Sequence, residues 1–187
     1  LGDSFAMIVM PLLVLEATGS VVQMGLITGT IGVGNLLSGI YSGSIIDRVD
    51  RRWLMILSDI GRAFLYALIP LGWWLVGSNM ALLYAVAAIT ACLTTTFLIT
   101  YTAAVPNIVG VDRATEANSR LQATIALAYV VGPMLAGFTS SRFQAVWAMG
   151  IVSLSYLVSA MLMFLVRIRP STDTHPEEND LHSSPLA

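Results

Sequence analysis

The chain has 187 residues, of which 56% are hydrophobic and only 11% are charged, and its formal net charge is −2. Soluble domains average about 25% charged residues, so this chain cannot cover a globular surface in water and lipid is its expected solvent. The absence of a basic patch with interleaved aromatic residues excludes nucleic acid as a partner. One cysteine, Cys92, and two histidines, both in the C-terminal tail, provide no cluster for a metal ion or another cofactor.

Six apolar segments of membrane-spanning length follow one another, since a span needs about 20 residues. They cover residues 1–17, 21–46, 53–76, 80–105, 117–139 and 145–166. Helices are expected because they satisfy every backbone N–H and C=O group within one segment. The sequence therefore predicts an all-α, polytopic membrane protein with six transmembrane helices in residues 1–169. The first residue is an apolar Leu1 and not an initiator methionine, so we expect the chain to start inside a helix.

A dense group of charges lies between the second and third segments, at residues 47–52, Asp-Arg-Val-Asp-Arg-Arg. A charged stretch between two apolar runs indicates a turn at a membrane surface. Arginine is enriched in cytoplasmic loops. Seven arginines lie on the side of this turn, whereas only Arg142 lies on the opposite side. The sequence therefore predicts a multi-pass protein of the cell membrane, inner or plasma, whose charged turn faces the cytoplasm.

Residues 170–187 are polar, with three acidic residues among positions 177–180. Such a segment cannot bury enough surface to fold and is expected to be a disordered cytoplasmic linker or tail. A faint repeat relates Gly43-x-x-x-Asp-Arg at the end of the second segment to Gly137-x-x-x-Ser-Arg at the end of the fifth. Three helices separate the two copies, so they lie on opposite membrane faces, as a three-plus-three inverted repeat requires.

The charged turn also carries a family motif. Its residues are Gly43, Asp47, Arg48, Arg51 and Arg52. The spacing Gly-x-x-x-Asp-Arg-x-x-Arg-Arg resembles the cytoplasmic signature of the major facilitator superfamily. Asp50 stands where that family usually has glycine, which resembles the drug- and siderophore-exporter branch, of the enterobactin-exporter and macrolide-efflux type. The resemblance implies a conformational gate that bonds to an opposite helix bundle. On spacing alone, a solvated anchor at the membrane surface is the alternative.

The fifth segment contains Ala-Tyr-Val-Val-Gly-Pro-Met-Leu-Ala-Gly at residues 128–137. Pro133 lacks an N–H group and should kink the helix, while Gly132 and Gly137 allow close packing around it. The stretch resembles the antiporter signature of the same family, although alanine replaces two of its glycines. The resemblance implies antiport, and a generic proline kink is the alternative.

Ionisable residues inside a membrane are costly and usually functional. Asp3 is our candidate for proton coupling, because it lies inside the membrane if the first helix lacks residues at its start. An acid at the cytoplasmic end, paired with an arginine, is the alternative. Asp59 and Arg62 are three residues apart on the third segment, so they can pair on one side of a helix. We expect them to form a structural ion pair linked to the gate.

Uncharged polar residues inside the apolar segments are candidates for lining a substrate cavity. They are Asn35, Thr96, Tyr101, Asn118 and Gln122. For the threonine, the alternative is a hydrogen bond back to its own helix backbone.

The resemblance as a whole implies the N-terminal six-helix half of a major facilitator transporter and not an enzyme. The implied function is secondary active efflux of a small amphipathic compound, such as a drug or siderophore, by proton antiport. The expected partners are the lipid bilayer, the substrate, protons and a missing C-terminal half, so that the chain is a half-transporter fragment. A non-transporting membrane subunit that modulates another transporter is the alternative, and no cofactor is expected.

For the complete transporter we predict that Asp47→Asn slows conformational cycling with little loss of substrate affinity. The reason is that a gate residue acts on the transition between states and does not touch the ligand. Turnover and substrate affinity, measured separately, check this prediction. A large loss of affinity at an unchanged turnover would contradict it.

Overall fold

The computed structural model describes residues 2–46, 49–109 and 111–165, with the backbone alone for 43–46, 105–109, 111–114 and 141. They form six α-helices: α1 (Gly2–Thr18), α2 (Val21–Ile46), α3 (Arg51–Val76), α4 (Met80–Val109), α5 (Val111–Arg142) and α6 (Ala145–Leu165). No strand occurs among the described residues, and the predicted all-α fold is confirmed. Asp47, Arg48 and the predicted tail at 170–187 lie outside the described residues.

Of the helices that the structure describes, five contain a stretch that is long and apolar enough to cross a membrane. These stretches are Val21–Ser42, Arg51–Val76, Met80–Ala104, Thr115–Ser140 and Ala145–Leu165. α1 has 17 residues, so it is about 26 Å long at the usual rise per residue. The predicted connection at 106–116 differs from the structure, because α4 continues to Val109 and α5 begins at Val111. The hydropathy of a segment shows where the lipid-facing part of a helix ends. The helical hydrogen bonds continue beyond that point into polar sequence, so the helices are longer than the apolar segments.

The helix packing repeats when α1, α2 and α3 are exchanged for α4, α5 and α6. α2 packs on α4 as α5 packs on α1, and α3 packs on α4 as α6 packs on α1. α3 and α6 pack extensively on each other, whereas α5 and α6 touch only slightly. Equivalent helices are three apart in the chain and therefore run in opposite directions. This arrangement is the predicted three-plus-three inverted repeat.

α3 and α6 form the back of the bundle, and α2 and α5 are its least buried spans. In α3, 44% of the span is buried, against 17% in α2 and 11% in α5. The apolar core lies between α1, α3, α4 and α6, around Val9, Ile69, Val86 and Met149. We call the side of α1, α2, α4 and α5 that faces away from α3 and α6 the open face.

Carboxylates cap helices at both ends of the bundle. At the charged end, where α3 begins, Asp50 Oδ1 accepts hydrogen bonds from the backbone N–H groups of Arg52 at 2.8 Å and Trp53 at 3.3 Å. Asp50 therefore starts α3 as its N-cap. At the opposite end, Glu16 Oε2 accepts from the N–H of Ala145 at 3.1 Å. A carboxylate there is also favoured by the positive end of the α6 dipole.

Two glycines allow close helix contacts that hold α2 and α5. A Cβ atom added at Gly34 of α2 would lie 2.9 Å from the Cβ atom of Ala91 in α4. One added at Gly132 of α5 would lie 2.6 Å from the Cβ atom and 3.1 Å from the carbonyl carbon of Ser4 in α1. One added at Gly137 would meet nothing within 4 Å. Of the two glycines in the antiporter-like stretch, Gly132 is therefore the one in close contact with a neighbouring helix.

We predict that Gly132→Ala destabilises the bundle by about 1–3 kcal/mol, because the new methyl group overlaps the backbone of α1. Gly137→Ala is the matched control on the same helix. It should be neutral or slightly stabilising, because alanine is the better helix former and its methyl group meets open space. Thermal unfolding of the purified variants in detergent measures both changes. Equal effects of the two substitutions would contradict the close contact.

Candidate functional site

Arg62 lies at the centre of a buried network that joins four helices. Its side chain is 1% exposed. The guanidinium lies between two rings, with Cζ 4.7 Å from the centroid of Phe97 in α4 and 4.4 Å from that of Tyr156 in α6. Nη1 donates to Oδ1 of Asp3 in α1 at 3.1 Å, and Nη2 donates to Asp59 in α3. One guanidinium therefore binds two carboxylates inside the bundle.

The network lies deep in the membrane-spanning part of the bundle. α3 begins at Arg51, so Arg62 stands about 16 Å from that end of the helix. The hydrocarbon core of a bilayer is about 30 Å thick, which places Arg62 near its middle. Asp3 is at the same depth because it is hydrogen-bonded to Arg62. Charged groups at this depth are costly, and each therefore needs a partner or access to water.

The buried carboxylate of the network is fully satisfied. Asp59 is 0% exposed. Besides Arg62, it accepts a hydrogen bond from Oγ of Ser159 in α6 at 2.6 Å. Asp59 and Arg62 thus form an ion pair between two adjacent turns of α3, and Ser159 fixes α6 to the same carboxylate.

The second carboxylate is accessible. The Asp3 side chain is 51% exposed. Its Oδ1 atom accepts from Arg62, from Thr94 Oγ1 at 3.2 Å and from Tyr156 Oη at 2.5 Å. No described residue donates to Oδ2. With both acids ionised the network holds two negative charges and one positive charge, so the uptake of one proton would leave it neutral.

A cavity of about 140 Å³ lies beside Asp3. It is bounded by α1, α2, α4 and α5, with one side chain from α3. Its lining includes Asp3, Met7, Asn35, Tyr66, Thr94 and Tyr129. Asp3 is the only charged one among the described residues of that lining, whereas Arg62 and Asp59 line, together with Asp3, a second cavity of about 530 Å³ on the side of α6. The cavity therefore combines apolar and aromatic walls with one carboxylate.

The described arginines of the charged turn contact their own bundle. Arg51 Nη1 donates to the carbonyl of Ala103 in α4 at 2.9 Å, and Arg52 Nη2 donates to the carbonyl of Phe164 in α6 at 2.8 Å. Phe164 is in the last turn of α6, where a cation is favoured by the helix dipole. The two arginines thus tie the start of α3 to α4 and α6. Of Gly43, only its place in the α2 backbone is described.

Two of the candidate cavity residues lie at the contact between α2 and α4. Asn35 lines the cavity and accepts a hydrogen bond from Thr95 Oγ1 at 3.1 Å. Thr96 is outside the cavity lining. Its Oγ1 atom lies 3.1 Å from Oγ of Ser38 and 3.2 Å from Oγ of Ser42. Thr96 therefore belongs to a hydroxyl cluster that holds α2 against α4.

The other candidates do not reach the cavity. Tyr101 stacks on Phe97, with ring centroids 6.1 Å apart, and so supports the ring that covers Arg62. Asn118 and Gln122 are exposed on α5 towards the charged end. Pro133 lies inside α5 and follows the close contact at Gly132.

Sequence reasoning missed the α6 side of the network. Tyr156 and Ser159 are three residues apart in α6, so both lie on one helix face. The same spacing on α3 identified Asp59 and Arg62. Tyr129, on the cavity wall, lay within the antiporter-like stretch, but its role there could not be distinguished from that of its apolar neighbours.

The fold and the site together define a class of protein: a polytopic helical membrane protein with a buried charge network beside a cavity at the membrane midplane. The family model of the Major Facilitator Superfamily matches residues 1–187, and the chain belongs to that superfamily. Its six helices are consistent with the N-terminal half of the family's fold, and its general function is membrane transport. No curated protein and no solved structure matches the chain.

We predict that Arg62→Met destabilises the bundle by about 3–5 kcal/mol, because it leaves Asp59 buried without its partner. Adding Asp59→Asn to the same variant should restore much of that loss. Arg120→Met is the control, since Arg120 pairs with Glu116 on the exposed surface of α5 and such pairs contribute little. Thermal unfolding of the three variants measures the effect. Equal losses for Arg62→Met and Arg120→Met would contradict a structural role for the buried pair.

Proposed function

We propose that the protein takes part in the export of a small amphipathic compound in exchange for protons, with Asp3 as the proton carrier. The observation that carries this proposal is the contrast between the two acids of the network. Asp59 is 0% exposed and accepts a hydrogen bond at each of its two oxygens, whereas Asp3 is half exposed beside the cavity and shares the same arginine. A proton arriving from the cavity meets Asp3 first, and its uptake neutralises the network.

A second six-helix bundle is the partner that the open face requires in this proposal. Apolar side chains such as Leu36, which is 73% exposed, can face lipid. Asp3, Asn118 and Gln122 are also exposed, and polar groups cannot face lipid without a large cost. In transporters built from repeats, substrate sites lie near the midplane between two such bundles. A matching bundle over the open face would enclose the cavity.

The charged turn acts in this proposal as a conformational gate. Arg51 and Arg52 bind the ends of α4 and α6, and the same helix, α3, carries Arg62 and Asp59. Proton binding at Asp3 changes the ion pair between Asp3 and Arg62, and α3 transmits that change to the turn. Asp47 and Arg48 are assigned to the same gate because the motif that contains them resembles the family signature. The exporter branch and a cytoplasmic location of the turn in the cell membrane belong to the same proposal.

We predict that Asp3→Asn reduces proton-driven efflux to the level of empty vesicles, because asparagine cannot carry the proton. The chain is reconstituted in vesicles together with a second six-helix bundle of the same family. An imposed pH gradient then drives a fluorescent amphipathic dye. Glu16→Gln is the control, because Glu16 caps α6 at the end of the bundle and does not line the cavity.

The outcomes separate the proposal from its alternatives. Full efflux by Asp3→Asn would show that Asp3 is not the proton carrier. Efflux by the chain alone would show that no second bundle is needed. Co-purification with another transporter, together with no flux in any arrangement, would favour a non-transporting modulatory subunit.

A further inference from the structure

We infer that the cavity beside Asp3 selects an organic cation, a quaternary ammonium or protonated amine with an apolar body, over an anionic compound. The inference rests on the proposed function in taking this cavity as part of the substrate site. It goes further, because that function leaves the charge of the compound open. Three features of the described residues carry it: the sign of the exposed charge, the free carboxylate oxygen and the chemistry of the walls.

The sign of the charge that the cavity presents is negative. Asp3 is the only charged residue in its lining. Arg62, the cation that pairs with Asp3, is 1% exposed, lies between the rings of Phe97 and Tyr156, and lines a separate cavity on the side of α6. Arg62 is also shared with Asp59, so it cannot neutralise both carboxylates. An anion entering this cavity would meet a carboxylate whose charge is only partly compensated, and no cation among the described residues of the lining.

The free oxygen of Asp3 gives a cation a place to bind. Arg62, Thr94 and Tyr156 all donate to Oδ1, and no described residue donates to Oδ2. Half of the side chain is exposed. A cation can therefore approach Oδ2 without displacing the existing hydrogen bonds, and the network keeps its structure when the ligand leaves.

The walls of the cavity suit the rest of such a ligand. Tyr66 and Tyr129 contribute aromatic rings, and Met7, Met10 and Ile31 contribute apolar surface. Aromatic rings beside a carboxylate are the chemistry that recognises quaternary ammonium groups. A volume of about 140 Å³ suits a compact cationic head, while an apolar body would extend over the open face.

The test compares two small probes that share an aryl group but differ in the sign of a permanent charge. Benzyltrimethylammonium and benzylsulfonate are titrated into the purified chain in an uncharged detergent, with binding heat as the readout. The neutral isostere neopentylbenzene measures apolar binding alone. We expect saturable binding of the cation only. Asp3→Asn should weaken it at least about tenfold, since the ion pair forms in a partly buried site, and Glu16→Gln should not change it.

Three results would overturn the inference. They are binding of the anion at least as tight as that of the cation, unchanged cation affinity in Asp3→Asn, and no saturable binding of the cation to the wild-type chain. The first and third do not depend on the folding of any variant. The assay needs neither a gradient nor flux. Cation binding without proton-driven efflux would contradict the proposed function but support the cation site. Proton-driven efflux of anions alone would contradict the cation site but support the exchange with protons.

Discussion

The guanidinium of Arg62 is the group on which the positions of four helices depend. A cation in the low-dielectric interior is tolerated only when partners replace its water. Here the partners come from every helix of the core: Asp3 from α1, Asp59 from α3, Thr94 from α4 and Tyr156 from α6. The partners of its two terminal nitrogens and of its flat face therefore bring α1, α4 and α6 around the midpoint of α3, whereas Nε has no partner among the described residues. The apolar core packs around the same four helices.

The helices outside this network are held by different means. α2 is attached through the close contact at Gly34 and the hydroxyl cluster around Thr96, and α5 through the close contact at Gly132. These contacts involve small or uncharged groups and leave most of each helix exposed. The result is a bundle whose back is more buried than the spans of α2 and α5 at its flanks.

Much of the fold could be predicted from the sequence, because lipid imposes a hydropathy pattern that marks each span directly. The pairing of Asp59 with Arg62 could also be predicted, since a helix brings residues three apart together. An arginine partner for Asp3 was one alternative from the sequence, but Arg62 could not be identified as that partner, because it is 59 positions away in the chain and hydropathy reports the solvent of a residue and not its neighbours. For the same reason Thr96 was expected in a cavity, although it binds Ser38 and Ser42. The turn arginines were expected to bind another bundle, and the carbonyl groups that Arg51 and Arg52 contact in their own bundle leave no trace in the sequence.

The inverted repeat has a consequence for the charge at the centre of the network. Gly43 and Gly137 are separated by 94 positions, and so are Arg62 and Tyr156. Arg62 and Tyr156 are in direct contact, and residues at equivalent positions can touch each other only where the pseudo-two-fold axis passes. Two identical three-helix units would place identical side chains there, and two arginines would repel each other. The contact between Arg62 and Tyr156 is thus a point at which the two units must differ, and this difference lets the bundle hold a single positive charge at its centre.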